Sequence, residues 1–219
     1  MPLARTLSKL FRFALNELKF RKVYQKYRDH TMVPGDLYVG NLRLPVWAAG
    51  IPGSIVECGT WRGGMIAGIA DILGPGRTYY LFDSFQGLPA PSHEADRDYD
   101  LSSFTALAVS QADVEAAFER FGLLDDQVKF LKGWFKDTLA TAPVSRLAIL
   151  RMDGDLYEST MDIFDALYHK VSSGGFVIVD DYHLLPPCKQ AVHDFRERAK
   201  VADPIQEIDG TGVFWKKSG

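Results

Sequence analysis

Five largely apolar runs separated by helical or polar stretches limit the fold of this chain more than any other feature. The runs are continuously apolar, as strands buried on both faces of a parallel sheet are, and they cover residues 54–58, 78–82, 128–131, 147–152 and 176–179. Helical patterns occur at residues 65–73, 112–121, 157–171 and 188–200. This alternation predicts an α/β fold with a mainly parallel sheet covered on both faces.

The end of the chain has a different pattern. Residues 204–208 and 213–215 are predicted strands joined by the short turn Gly210-Thr211-Gly212. So short a turn is compatible only with antiparallel neighbours. We therefore expect an antiparallel hairpin at one end of the sheet.

The first 30 residues differ in charge from the rest of the chain. They contain eight Lys or Arg and two Asp or Glu, whereas the remainder contains 17 and 26. Apolar residues at helical spacing predict one or two amphipathic helices over residues 3–28, namely Leu7, Leu10, Phe11, Ala14 and Leu18. Their stripe is expected to pack on the body or on a second subunit. The alternatives are an anionic membrane surface and a mobile lid. Residues 31–52 are expected to be a connection.

Length and composition exclude several classes of protein. The 219 residues suit one large domain with an appendage, and a net charge of −3 argues against nucleic-acid binding. The two cysteines, Cys58 and Cys188, lie far apart, which argues against a disulfide framework or a zinc site. Charges interrupt every apolar stretch, so neither a membrane span nor a secretion signal is expected. We expect a cytoplasmic protein.

A glycine-rich turn follows the first predicted strand, at residues 57–64. Its glycines let the backbone turn sharply and approach a ligand, and the helix that follows offers free amides. The spacing matches neither the dinucleotide fingerprint nor a P-loop. The second strand ends at Asp83, where a carboxylate can bind the hydroxyls of a ribose. Together, the glycine-rich turn and Asp83 indicate a ribose-bearing cofactor. The alternative role for Asp83 is to cap a loop.

Four carboxylates follow two further strands. Asp153 and Asp155 come after the fourth strand, and Asp180 and Asp181 come after the fifth. If those strands are neighbours, their ends lie roughly 5 Å apart, and like charges that close repel unless a cation neutralises them. Oxygen ligands suit Mg²⁺. The alternative is that Asp155 caps the following helix and that Asp180 and Asp181 form a solvated turn.

Two aromatic residues are further candidates for contacts with ligands. His183 lies two residues past Asp181 and is retained as a substrate contact. Trp134 follows the third strand, where it could pack on an adenine ring. The alternative for Trp134 is simple packing in the core.

Six segments of the chain resemble the macrocin O-methyltransferases, the TylF-type S-adenosylmethionine-dependent enzymes that modify antibiotic sugars. The resemblance covers residues 31–216 in the family's order, and its most specific parts are DSFQGLP and DGDLYEST. The matching segments are Thr31-Met32, 57–64, 82–89, 133–139, 151–160 and 179–182.

The resemblance implies the class I methyltransferase fold, a Rossmann-like sheet of seven strands with an antiparallel last strand. Residues 31–219 would form the methyltransferase domain, preceded by the basic segment 1–30. Asp153, Asp180 and Asp181 would bind Mg²⁺, and Asp155 would be the general base. S-adenosylmethionine would contact Thr31, Met32, Glu57, Gly59, Thr60, Trp61, Arg62, Gly63, Asp83, Ser84, Phe85, Gly87, Gly133, Trp134 and Phe135.

The predicted function is therefore Mg²⁺-dependent methylation of a sugar hydroxyl, on a glycosylated natural product or a glycan. The metal lowers the pKa of the hydroxyl and orients it, so an acceptor with two adjacent oxygens is expected. Methylation of a small phenol or an amine by the same fold is one alternative. A cofactor-binding protein without turnover is another, and an NAD-dependent oxidoreductase is disfavoured by the glycine spacing. A homodimer is left open.

Overall fold

A computed structural model describes residues 2–208 and 210–219, with side chains from Leu15 onward. At its centre is a seven-stranded sheet in the order β3-β2-β1-β4-β5-β7-β6. The pairs from β3 to β5 are parallel, and β7 is antiparallel to both β5 and β6. The predicted Rossmann-like sheet with an antiparallel last strand is confirmed. Its strands are β1 Ser54–Cys58, β2 Tyr79–Asp83, β3 Val128–Lys132, β4 Leu147–Met152, β5 Val171–Val179, β6 Gln206–Glu207 and β7 Val213–Lys216.

Helices cover both faces of the sheet because its central strands are apolar on both sides. Ile55 of β1 lies in one buried cluster with α1–α5, and the next residue, Val56, lies in a second cluster with α7 and α8. The helices are α1 Pro2–Tyr27, α2 Gly35–Asn41, α3 Arg43–Ala48, α4 Gly64–Leu73, α5 Gln111–Phe121, α6 Phe135–Thr138, α7 Tyr157–Leu167 and α8 Pro186–Arg198.

Helix α1 packs on the body through a face that the apolar stripe did not predict. Phe20, Val23 and Tyr27 are buried in the first cluster, and the Tyr27 hydroxyl donates to Asp71 at 2.7 Å. Leu18, a member of the predicted stripe, is 60% exposed. The side chains of the other residues in the stripe are not among those that the structure describes. The helix is nevertheless continuous over the predicted range, and its last two turns are part of the core.

The segment expected to be a connection, residues 31–52, contains α2 and α3. Tyr38 and Leu42 are fully buried there, and the Tyr38 hydroxyl donates to the Gly64 carbonyl at 2.7 Å. Its prolines and glycines obscured two short helices whose apolar residues extend the core. None of the described helices has the length and apolar character needed to cross a membrane.

The helix predicted to end at residue 171 ends at Leu167, and a 3-10 turn leads into β5. From the Leu147–Val171 pair to the Ile149–Phe176 pair, β4 advances two residues and β5 advances five, which marks a bulge. A Cβ at Gly175 would lie 2.9 Å from the Ser172 carbonyl oxygen. The two glycines that resembled a helix stop therefore belong to a bulged strand.

Candidate active site

A cavity of about 590 Å³ opens at the carboxyl ends of the parallel strands. Ligands of open α/β sheets bind at this edge. Most of the residues predicted from the sequence line it, namely Thr31, Met32, Glu57, Gly59, Thr60, Trp61, Asp83, Ser84, Gly87, Gly133, Trp134, Phe135, Asp153, Asp155, Asp180 and Asp181.

Three predicted cofactor residues, all within the described part of the chain, lie outside the lining of this cavity. The ring of Phe85 is buried in the core, 6.4 Å from that of Phe130. Gly63 backs onto the side chain of Phe118. Arg62 faces a separate, smaller cavity and lies over the ring of Trp61 at 4.6 Å. In this structure these three residues support the turns behind the cavity and do not line the cavity itself.

The glycines of the turn are required by the protein's own backbone. A Cβ on Gly59 would lie 1.8 Å from the Asp153 carbonyl oxygen, and one on Gly64 would lie 2.3 Å from that of His30. Gly59 therefore lets the turn after β1 touch the turn after β4. Gly64 lets the chain leading into Thr31 and Met32 rest on the start of α4. Close packing of the chain on itself builds two walls of the cavity.

Asp83 caps the turns at the end of β2. Its Oδ2 accepts from the amides of Thr60 at 2.8 Å and Trp61 at 3.1 Å, and its Oδ1 accepts from the amide of Phe85 at 2.7 Å. Burial raises the pKa of Asp83, and these hydrogen bonds oppose that rise. These hydrogen bonds are those of a loop-capping aspartate, which was the alternative role considered for Asp83. The contact of Asp83 with a ribose stays a prediction.

Three carboxylates converge at the ends of β4 and β5. Asp153, Asp155 and Asp181 each present an oxygen within 4.8 Å of the others. Asp155 holds a left-handed backbone conformation, with φ of 57°. Burial, followed by the charges of Asp153 and Asp180, raises its pKa to about 8. Burial and the same neighbours raise the pKa of Asp181 well above its ordinary value. Ionising the whole group is therefore costly, because burial and like charges both favour the protonated form.

The donor set fits a hard divalent cation. It consists of carboxylate oxygens, and Asp181 Oδ2 is buried with no hydrogen-bond partner among the residues that the structure describes. The predicted metal set was Asp153, Asp180 and Asp181. In the structure Asp155 belongs to the close group, whereas Asp180 Oδ1 accepts from Arg151 Nη2 at 2.5 Å. The assignment of base and ligands among the four stays a prediction.

Comparison with known proteins identifies the family. Residues 29–217 match the model of the macrocin O-methyltransferases (TylF). The chain belongs to the macrocin O-methyltransferase family. It is 50% identical to the 8-demethyl-8-(2,3-dimethoxy-alpha-L-rhamnosyl)-tetracenomycin-C 4'-O-methyltransferase of Streptomyces olivaceus, over 85% of this chain and 75% of that one.

Two further relatives agree. The mycinamicin III 3''-O-methyltransferase of Micromonospora griseorubida is 46% identical, over 86% of this chain and 79% of that one. The solved structure of the O-methyltransferase NovP superimposes with a TM-score of 0.82 at 45% identity, over 87% of this chain and 83% of that one. The resemblance drawn from the sequence is confirmed, and so is the class I methyltransferase fold. The protein is an O-methyltransferase.

One residue of this O-methyltransferase site had no role in the sequence-based prediction. Arg151 is fully buried on β4, and its guanidinium contacts Glu57 of β1, Asp153 just after β4 and Asp180 just after β5. The sequence did contain a signal, because an arginine interrupts the apolar run of residues 147–152. A charged side chain in such a strand is buried only with partners.

The polar loop after Gly87 also contributes to the site. Asp96 is fully buried and accepts from the amides of Tyr157 at 2.6 Å and Glu158 at 3.1 Å. The ring of His93 stacks on Tyr157 at 4.3 Å. This distant aspartate supplies the N-terminal cap of α7, and so it fixes the helix that begins two residues after Asp155.

His183, retained from the sequence as a substrate contact, does not line the cavity, although the structure describes it and its neighbours. Its Nε2 lies 3.0 Å from the carboxylate of Glu207. Leu184 and Thr211 line the cavity beside it instead.

Proposed function

We propose that this protein transfers a methyl group from S-adenosylmethionine to a hydroxyl of a sugar on a glycosylated natural product, with Mg²⁺ bound at the carboxylate cluster. The observation that carries the proposal is the convergence of Asp153, Asp155 and Asp181 at one end of the cavity. The two curated relatives are named for methylation at sugar positions, which supports a sugar acceptor here.

The cofactor would occupy the half of the cavity formed by the turns after β1, β2 and β3. Glu57 is buried there with an unpartnered Oε2 among the described residues, which suits the ammonium of the methionine part. Trp134 and Phe135 form the wall after β3, where aromatic faces suit an adenine. The cofactor supplies an activated methyl group, so the chain must mainly align the reacting atoms.

The other half of the cavity would hold the acceptor. Mg²⁺ would be held by Asp153 and Asp181 together with Asp155 or Asp180, and when bound it lowers the pKa of a coordinated hydroxyl. Asp155 would take the proton from that hydroxyl. Its left-handed backbone places the carboxylate beside Asp153 rather than along α7. This geometry supports a base next to the ion.

The mouth of the cavity favours an acceptor with an apolar part. Met32 and Leu184 line it, although their side chains are 57% and 63% exposed. Lys136, Glu158 and Asp162 line the same cavity and can hydrogen-bond to hydroxyls. An apolar rim around a polar interior suits a sugar that carries an apolar aglycone.

Calorimetric titration tests the proposal. S-adenosylhomocysteine is expected to bind, and one member of a panel of glycosides is expected to bind only when Mg²⁺ is present. An amine acceptor would not need the ion, so binding and turnover without metal would favour the N-methylation alternative. Absence of cofactor binding at any Mg²⁺ concentration would overturn the proposal.

A further inference from the structure

Arg151 joins three strand ends with one guanidinium. Its Nη1 donates to Glu57 Oε1 at 2.8 Å and to Asp153 Oδ2 at 2.7 Å, and its Nη2 donates to Asp180 Oδ1 at 2.5 Å. Glu57 lies opposite Arg151 in the β1–β4 register. Side-chain exposure is 1% for Arg151 and 2% for Glu57. The rigid fork of a guanidinium can hold several carboxylates in fixed relative positions.

The partners of Arg151 belong to the two halves of the cavity. Glu57 lies in the half proposed for the cofactor, and Asp153 and Asp180 lie in the half proposed for the metal. These carboxylates come from β1 and from the turns after β4 and β5, so no short stretch of chain holds them together. A direct chain of charge-assisted hydrogen bonds therefore runs from Glu57 through Arg151 to Asp153.

We propose that Arg151 is a positioning residue that couples the two halves, so that a divalent cation at Asp153 strengthens binding of the cofactor at Glu57. The inference depends on the function proposed above. A cation that fixes Asp153 also fixes the guanidinium, and through it the carboxylate of Glu57. The cofactor then meets a carboxylate that is already ordered, which lowers the cost of binding.

Coupling between two ligands is reciprocal, which gives two independent measurements. Titration calorimetry is expected to show S-adenosylhomocysteine binding about fivefold more tightly with saturating Mg²⁺ than without it, at the low end of typical coupling. Electron paramagnetic resonance of Mn²⁺ is expected to show a similar gain in cation affinity when S-adenosylhomocysteine is added, and a calorimetric titration with Mn²⁺ in place of Mg²⁺ must give the same factor. Neither measurement requires an acceptor or turnover.

Arg151→Lys keeps the charge but removes the fork. In this variant neither ligand is expected to change the affinity of the other, so both affinity ratios should be about one. This should hold even if each ligand alone binds more weakly than to the wild-type protein. A purely structural role would weaken both ligands and leave the ratio unchanged, and that result would overturn the proposal. The matched control is Arg146→Lys, an exposed arginine just before the same strand, which should retain the wild-type ratio.

A second variant keeps the proposal testable if Arg151→Lys does not fold. Glu57→Gln breaks the link at the cofactor side, so Mn²⁺ should still bind with an affinity that no longer responds to S-adenosylhomocysteine. If the wild-type protein binds both ligands without any mutual effect, the coupling is wrong and the proposed function stands. If it binds neither S-adenosylhomocysteine nor a cation, both are wrong.

Discussion

Two groups of carboxylates lie at the same edge of the sheet in opposite surroundings. Asp83, at the end of β2, accepts hydrogen bonds from the amides of Thr60, Trp61 and Phe85. Asp155 and Asp181, beyond β4 and β5, face other carboxylates, and those neighbours add to the rise in their pKa values. Burial raises the pKa values in both groups, but backbone amides oppose that rise at Asp83, whereas neighbouring carboxylates add to it at Asp155 and Asp181.

The difference separates a carboxylate that builds the site from carboxylates that we propose bind a cation. Backbone amides partly offset the burial of Asp83, and in return its carboxylate holds two turns in place. In the cluster, Arg151 donates hydrogen bonds to Asp153 and Asp180. In the function proposed above, a cation stabilises the cluster further. Changes in the two groups should therefore differ in what they damage and in what repairs the damage.

The largest expected effect is on turnover. Asp155→Asn removes the proposed base, and general-base catalysis contributes about 100- to 10,000-fold. Methyl transfer to the glycoside identified by calorimetry should fall by that amount, while S-adenosylhomocysteine binding stays within about twofold. The matched control is Asp165→Asn, which changes an exposed aspartate of α7 that pairs with Arg198. Substantial turnover by the Asp155 variant would remove it from the role of base.

The next effect is on stability, at the other group. Asp83→Asn replaces an acceptor of several backbone hydrogen bonds with an amide that also carries donors, which should cost about 2 kcal/mol in the free energy of unfolding. Urea denaturation measures it. Mg²⁺ should not restore this loss, because the carboxylate caps turns rather than holding an ion. Recovery of the loss with Mg²⁺ would contradict the distinction drawn between the groups.

For cation affinity we expect the larger loss at the cluster and no loss at Asp83. Asp181→Asn removes a buried oxygen donor, and we expect Mn²⁺ affinity to fall roughly tenfold or more, since even outer partners of metal ligands matter that much. Asp83→Asn should leave Mn²⁺ affinity unchanged. Equal losses in both variants would show that the cation responds to general damage rather than to loss of a ligand.

The sequence predicted the sheet well because its strands are continuous apolar runs, and the ends of those runs located the site. It failed where a residue's partner is distant in the chain. The cap of α7 comes from Asp96, 61 residues before the amide of Tyr157. Gly175 resembled a helix stop because a bulge depends on register with a neighbouring strand. Arg151 resembled an irregularity in a strand until its three partners were in place.

The smallest difference to be measured is the effect of Mg²⁺ on the pH dependence of stability, and it tests the cluster directly. The pKa of Asp155 rises from its ordinary value near 4 to about 8 on folding. A raised pKa means that the folded state holds a proton that the unfolded chain has lost. Stability of the cation-free protein should therefore decrease as pH rises from about 4 to about 8.

Mg²⁺ should oppose that decrease, because it binds the ionised carboxylates and compensates their repulsion. Thermal unfolding at pH 6 and pH 8 would then show a rise in Tm with Mg²⁺ that is a few degrees larger at pH 8. Asp155→Asn cannot ionise, so its cation-free Tm should vary less with pH than that of the wild-type protein. Asp83→Asn should retain most of the pH dependence at a lower Tm, because Asp155 and Asp181 remain and only the smaller contribution from the raised pKa of Asp83 is lost. If Mg²⁺ raised the Tm equally at both pH values, Arg151 would already neutralise the cluster. The cluster and Asp83 would then differ only in how far the chain offsets their charge.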